Sequence, residues 1–240
     1  MVPGDRVLSM QWNKLKDAVS CVAGQYEFTI EKQILSKLIV ALRSTGAPPV
    51  TPTAAWLKAA TLTANYIVGG NLVPLVSASL YDLAMLTDLK GGYGRDWTDT
   101  DLSDTNIVHP FGLDLRGDGT LQCTLNFPTT AANCAVSVFA VNDGSMPPTL
   151  RYRTLTTSGT AAYEKALAIF ARDETGTSIS MKVGDDFDKD IDYLMGKVLF
   201  ADEAKIEQET IFAKLLSEQE PKKAIFRASA AVTLFSVEVP

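Results

Sequence analysis

The sequence predicts an all-β protein with short helices, folded as two tandem β-sandwich or jelly-roll units, and three observations lead there. One cadence is written twice: strand, turn, strand, short apolar stretch, acidic loop and closing strands run from about Tyr26 to Asp143 and again from about Tyr163 to Val239. Several segments alternate apolar and polar residues at period two, as half-buried strands do. The chain is 240 residues long with 46% hydrophobic content, enough to bury one large core or two small ones.

At the N-terminal end, Val7, Leu8, Trp12, Leu15 and Val19 recur near helical spacing, with Arg6, Lys14, Lys16 and Asp17 between them. This predicts a short amphipathic helix over residues 1–20. Arg6, Trp12, Lys14 and Lys16 suit an arm lying on a neighbouring molecule or an acidic lipid surface; packing on the chain's own first unit suits them equally. Residues 21–146 are expected to form the first unit. Tyr26, Phe28 and Ile30 alternate with Glu27, Thr29 and Glu31, and Leu38–Leu42 reads as a strand buried on both faces. Gly46, Pro48, Pro49 and Pro52 then stop strand propagation and mark a loop.

Ala60–Val68 and Leu72–Leu75 flank Gly69-Gly70-Asn71, a turn whose glycines permit positive φ. Leu80, Leu83 and Leu86 at helical spacing, with serine and aspartate nearby as caps, predict a short helix. A polar loop from Lys90 to Asp104 holds four aspartates, Asp96, Asp99, Asp101 and Asp104. Strands are expected again at Leu113–Leu115, Leu121–Phe127 and Ala135–Val141, with Asp118-Gly119 as a hairpin turn between the first two. The turn formers and prolines from Asn142 to Pro148 mark the boundary, so residues 147–240 form the second unit. It opens with Leu150–Leu155 and continues through Lys165–Ala171 and Ser178–Val183. A helical pattern around Ile206–Leu216 follows, and Ala228–Val239 is the closing strand.

The formal net charge of −6 argues against a phosphate-binding surface, so direct nucleic-acid binding is not expected. Cys21, Cys123 and Cys134 form no CxxC pair with a nearby histidine and read as reduced thiols of a protein assembled in the cytosol, with a Cys123–Cys134 bridge left open. The first residues lack the apolar core of a signal peptide, and no run of about 20 nearly continuous apolar residues predicts a membrane-spanning helix.

Chemistry has few candidates. Asp185, Asp186, Asp188 and Asp190, with Asp192, form an acidic run that could gather carboxylate oxygens around a hard cation such as calcium. It is not an EF-hand, because Ile191 stands at the required glycine position, and a solvated turn is the plainer reading. His109 is the sole histidine, so it can supply neither a two-histidine metal site nor, without a serine or cysteine signature nearby, a triad. It reads as structural. Arg116-Gly117-Asp118 reads as a turn, and Gly91-Gly92-Tyr93-Gly94-Arg95 lacks the lysine and following helix of a phosphate cradle. No enzyme is expected. Trp56, Trp97, Tyr93 and Tyr163 are stacking candidates for an alternative, a carbohydrate-binding or adhesin-type β-sandwich.

The stretches Val22–Ile30, Leu38–Gly46 and Leu62–Leu86 resemble the first barrel of double-jelly-roll major capsid proteins, those of tailless icosahedral phages with an internal membrane, of the corticovirus and finnlakevirus type. Gly119–Phe127 and Cys134–Asn142 are similar to the strands that close that barrel, and Tyr163–Val183 to the start of the second. The resemblance rests on order and spacing of strands and spans most of the chain. It implies a homotrimer forming pseudo-hexameric capsomers, neighbouring capsomers, penton and minor capsid proteins as partners, and a place in the virion. It also implies that the N-terminal arm sits near an adjoining capsomer or internal membrane lipid, and it favours a structural divalent cation at the acidic run. The second unit is short for eight full strands.

Overall fold

The computed structural model describes residues 10–46, 52–91, 104–172, 179–183, 191–192 and 222–240. The first unit contains strands β1 (Gln11–Ser20), β2 (Gly24–Glu31), β3 (Ile34–Ser44), β4 (Thr61–Val68), β5 (Asn71–Ser79), β6 (Asn106–Asp114), β7 (Thr120–Phe127) and β8 (Cys134–Asn142). Helix α1 (Ala54–Ala59) precedes β4, and helix α2 (Leu80–Gly91) follows β5. One sheet has the order β1-β8-β3-β6, and the facing strands run β5-β4-β7-β2. Sequence neighbours therefore mostly lie in opposite sheets, and each sheet interleaves early and late strands, which is the connectivity of a jelly roll.

Period-two alternation fills the space between the sheets. Leu38, Val40 and Leu42 of β3 and Val136 and Val138 of β8 meet Phe28 and Ile30 of β2 and Leu121, Leu125 and Phe127 of β7, all buried in one cluster. Local chemistry sets the punctuation. Gly69 and Gly70 take φ of 56° and 79°, the mirror-image turn that matches the twist of the β4–β5 hairpin. Pro74 lies at a register irregularity of β5, and Pro110 lies in β6, an edge strand; both are places where a missing N–H is tolerated. The α2 N-terminus is capped as its serine and aspartate suggest: Ser79 Oγ accepts from Asp82 N at 3.1 Å and donates to Asp82 Oδ2 at 2.7 Å.

The second unit contributes β9 (Arg151–Arg172), β10 (Ile179–Val183), β11 (Ile191–Asp192) and β12 (Lys222–Glu238). These extend the larger sheet to eight strands, β11-β10-β12-β9-β5-β4-β7-β2. The join is the parallel pairing of Val76 with Tyr152 and Ser77 with Arg153. Along most of the β9–β12 ladder the partner numbers fall in β9 as they rise in β12, and Thr233 faces both Thr156 and Arg172. Gly159, at φ 111°, lies within β9 at a register irregularity of that ladder, between the pairs Ala228–Gly159 and Ala231–Ser158. Together the elements give the all-β, jelly-roll fold expected from the sequence.

Three expectations change. Residues 11–20 are not a helix: they form β1, paired antiparallel with β8, and the first unit's sheet begins there. Register shifts between Lys14 and Lys16 and between Lys16 and Val19, with Ala18 at φ 46°, break the period-two pattern and leave apolar residues at helix-like intervals. Asp118-Gly119 does not close a hairpin, because β6 and β7 belong to different sheets. The chain crosses between sheets there, with Leu115 N donating to Gln33 O and Leu115 O accepting from Lys32 N, both at 2.8 Å. Cys123 and Cys134 likewise stand on β7 and β8 in opposite sheets, not on adjacent strands. Helix α1 was not legible as a helix; Thr53 caps it by accepting from Trp56 N at 3.2 Å. The expected helix at 206–216 lies outside the described residues.

Candidate functional site

Among the described residues, a mainly apolar groove of about 590 Å³ lies on the outer face of the four-stranded sheet. Strand alternation creates it: Ile39 of β3, Phe139 of β8 and Val108 of β6 occupy neighbouring register positions on the side away from the core. Trp12 of β1 completes the wall, 54% exposed and edge-on to Phe139 at 5.8 Å between ring centroids. Arg43 and Asn106 line one end, held together by a 2.6 Å hydrogen bond from the guanidinium to the amide oxygen. An apolar outer face bounded by a few polar groups is a surface for contact with another molecule more readily than a reaction chamber.

Of the residues singled out from the sequence for contact, Trp12, Lys14 and Lys16 all lie on β1, not on a helix face. Lys14 is tied to Asp17 at 2.9 Å, both well exposed, so its charge is locally balanced. Arg6 lies outside the described residues, as do Asp185, Asp186, Asp188 and Asp190; Asp192 pairs with Ser180 in β11. Among the described residues, no group of three or more histidines, cysteines and acids could hold a metal ion.

His109 is buried within β6, edge-on to Phe111 at 4.7 Å and Tyr152 at 4.3 Å, which makes it a packing residue between β6 and β9. Burial pushes the Tyr152 phenol up to about 12. Arg116 folds back on Asp114 through contacts of 2.9 and 2.6 Å, and this pairing lowers the Asp114 carboxyl to about 2. The Arg116-Gly117-Asp118 tripeptide is thus a self-contained turn. Two of the four stacking candidates are interior: Trp56 donates from Nε1 to Thr129 O at 2.8 Å, and Tyr163 is buried with Arg153 over its ring at 5.2 Å. Tyr93 and Trp97 lie outside the described residues.

Two polar networks tie the chain around the boundary between the units: one, buried at Asp82, joins α2 to β9, and the other, part-exposed at Asp143, ties the start of the linker to β3. Asp82 Oδ2 accepts from Ser79 Oγ and from Thr154 Oγ1 of β9, at 2.7 and 2.6 Å. Asp143, at the start of the linker, pairs with Lys37 Nζ at 2.6 Å and accepts from Ser145 N at 3.0 Å. Lys37 first, then Ser145, holds its carboxyl well below the ordinary carboxylate range. The Ser79–Asp82 cap is local, but nothing in the sequence marks the long-range partners, since Asp82 and Thr154 lie 72 positions apart.

The three cysteines are buried and none is in a disulfide. Cys21 and Cys134 lie with their sulfurs 3.5 Å apart. That contact and burial raise the Cys21 thiol far above its ordinary value, while burial alone pushes Cys123 up to about 12.

No protein-family model and no curated protein matches the sequence. Solved structures do match the fold. The crystal structure of the STIV MCP aligns with a TM-score of 0.54 at 12% identity, covering 96% of this chain and 97% of that one. The major capsid protein P2 from bacteriophage PM2 aligns with a TM-score of 0.50 at 12% identity, covering 96% and 98%. The atomic structure of Sulfolobus Turreted Icosahedral Virus aligns at 0.54 and 11%, covering 96% and 90%. At these identities the similarity establishes the fold, which is the one found in double-jelly-roll viral major capsid proteins.

Proposed function

We propose that this chain is a major capsid protein, a non-enzymatic building block of a virion shell. The observation that carries the reading is that the likeness to a capsid protein runs end to end, over 96% of this chain and 97% of the STIV MCP. The apolar outer groove with exposed Trp12 supports it, since shells are built by burying such surface between copies. The assembly unit proposed is a homotrimer shaped as a pseudo-hexamer, made in the host cytoplasm and tiling an icosahedral shell with penton and minor capsid proteins over an internal membrane. Asp185, Asp186, Asp188 and Asp190 are proposed to hold a structural cation such as calcium between subunits.

A carbohydrate-binding or adhesin role is disfavoured by the interior positions of Trp56 and Tyr163. Mass photometry and negative-stain microscopy of the purified chain, with and without calcium, test the shell reading. Trimers and larger assemblies are expected; a monomer at every concentration and calcium level would refute it.

A further inference from the structure

The geometry points to a covalent cross-link site between Cys21 and Cys134, which an exogenous disulfide oxidant closes within a single folded chain. Ser20 stands opposite Ala135 in the antiparallel β1–β8 pair, so the next positions, Cys21 and Cys134, face each other directly. Cys21 N donates to Cys134 O at 3.0 Å, which holds the two backbones together at this end of the ladder. Directly opposed residues of antiparallel strands have Cα atoms about 4.5–5.5 Å apart, within the span a disulfide bridges. The sulfurs are already in contact at 3.5 Å, and rotation about the side-chain torsions brings them to the ~2.05 Å of a bond without moving the strands. Cys123 has no such option: it faces Phe28 on one side and Ala64 on the other.

The site is positioned to be reached. β1 is an edge strand, and residues on either side of Cys21, Ser20 and Val22, are exposed. Local opening of that strand end admits a small oxidant that the closed structure excludes. With glutathione disulfide the step balances. The Cys134 thiolate attacks one glutathione sulfur, the glutathione S–S bond breaks, and the departing glutathione takes up the proton that Cys134 lost. The Cys21 thiolate then attacks the Cys134 sulfur of the mixed disulfide, the Cys21–Cys134 bond forms, and the second glutathione leaves with the second proton. Two electrons pass from the cysteine pair to the oxidant.

The link closes a loop from residue 21 to residue 134 and pins β1 to the sheet. Constraining so long a loop in the unfolded chain is expected to raise the Tm by roughly 5–15 °C. The site belongs to the single chain and does not depend on shell assembly. The test incubates the reduced, folded full chain with glutathione disulfide and reads non-reducing peptide mass mapping together with the thermal melt. Expected are a Cys21–Cys134 linked peptide pair, a mass lower by two hydrogens, and a higher Tm that dithiothreitol reverses. Cys123→Ala should still form the link and show the same rise in Tm over its own reduced form, whereas Cys21→Ala and Cys134→Ala should lose the shift. Mapping of the unmutated chain stands even if those variants fold poorly. A folded chain that stays unlinked, links through Cys123, or forms only bonds between chains would overturn the assignment.

Discussion

Replacing Gly112 by alanine probes how the linker between the two units is seated. Gly112 occupies a bulge of β6 at φ 60°, between Pro110, which faces Lys37, and Leu113, which faces Leu35. A Cβ built there would overlap the Pro147 carbonyl oxygen outright and lie 2.9 Å from its carbon. The linker is fixed at the same place by Thr149 Oγ1, which donates to Phe111 O at 3.2 Å. Two costs add: about 1–2 kcal/mol for an alanine held in left-handed backbone, and about 1–3 kcal/mol for overpacking against a backbone that must shift. The sum, about 2–5 kcal/mol, corresponds to a fall in Tm of roughly 10 °C for a chain of this size. Differential scanning calorimetry measures it, with limited proteolysis expected to cut more readily within residues 142–150. Gly117→Ala is the control, because nothing lies within 4 Å of a Cβ there. A Gly112→Ala variant within about 0.5 kcal/mol of wild type would refute the close-packed linker, since surface substitutions away from special features fall in that range.

Asp82→Ala leaves the hydroxyls of buried Ser79 and part-buried Thr154 without their shared acceptor and should cost about 3 kcal/mol in urea unfolding. Asp143, whose carboxyl is depressed by Lys37, contributes stability that is fully present above its unfolded value of about 3.9 and is lost as pH falls through its lower folded value. The difference in urea midpoint between wild type and Asp143→Asn should therefore be large at pH 7 and shrink below about pH 4; a constant difference would contradict the assignment. Trp12→Ala removes one edge-on aromatic contact at a half-exposed site, so its stability cost should stay below about 1.5 kcal/mol. If the outer groove meets other copies, the same variant should shift mass photometry toward smaller species.

Fold class was legible along the chain, because period-two burial is a local property: Phe28 and Ile30, or Leu121, Cys123 and Leu125, show their inward face without any partner strand in view. So were the turn at Gly69-Gly70 and the cap of α2, whose chemistry lies within a few residues. What β1 would become was not legible there. Its bulges disguise the alternation, and only the unpaired edge of β8, more than a hundred residues away, decides that Gln11–Ser20 is extended. The same distance hid the partner of Cys134: in sequence Cys123 is nearer, but interleaved strands put Cys123 in one sheet and bring Cys21 to Cys134 in the other. The outer groove, the Asp82–Thr154 link and the Gly112–Pro147 approach are likewise tertiary facts. Each depends on which strands become neighbours, and backbone hydrogen bonding fixes that between segments that carry no mark of one another.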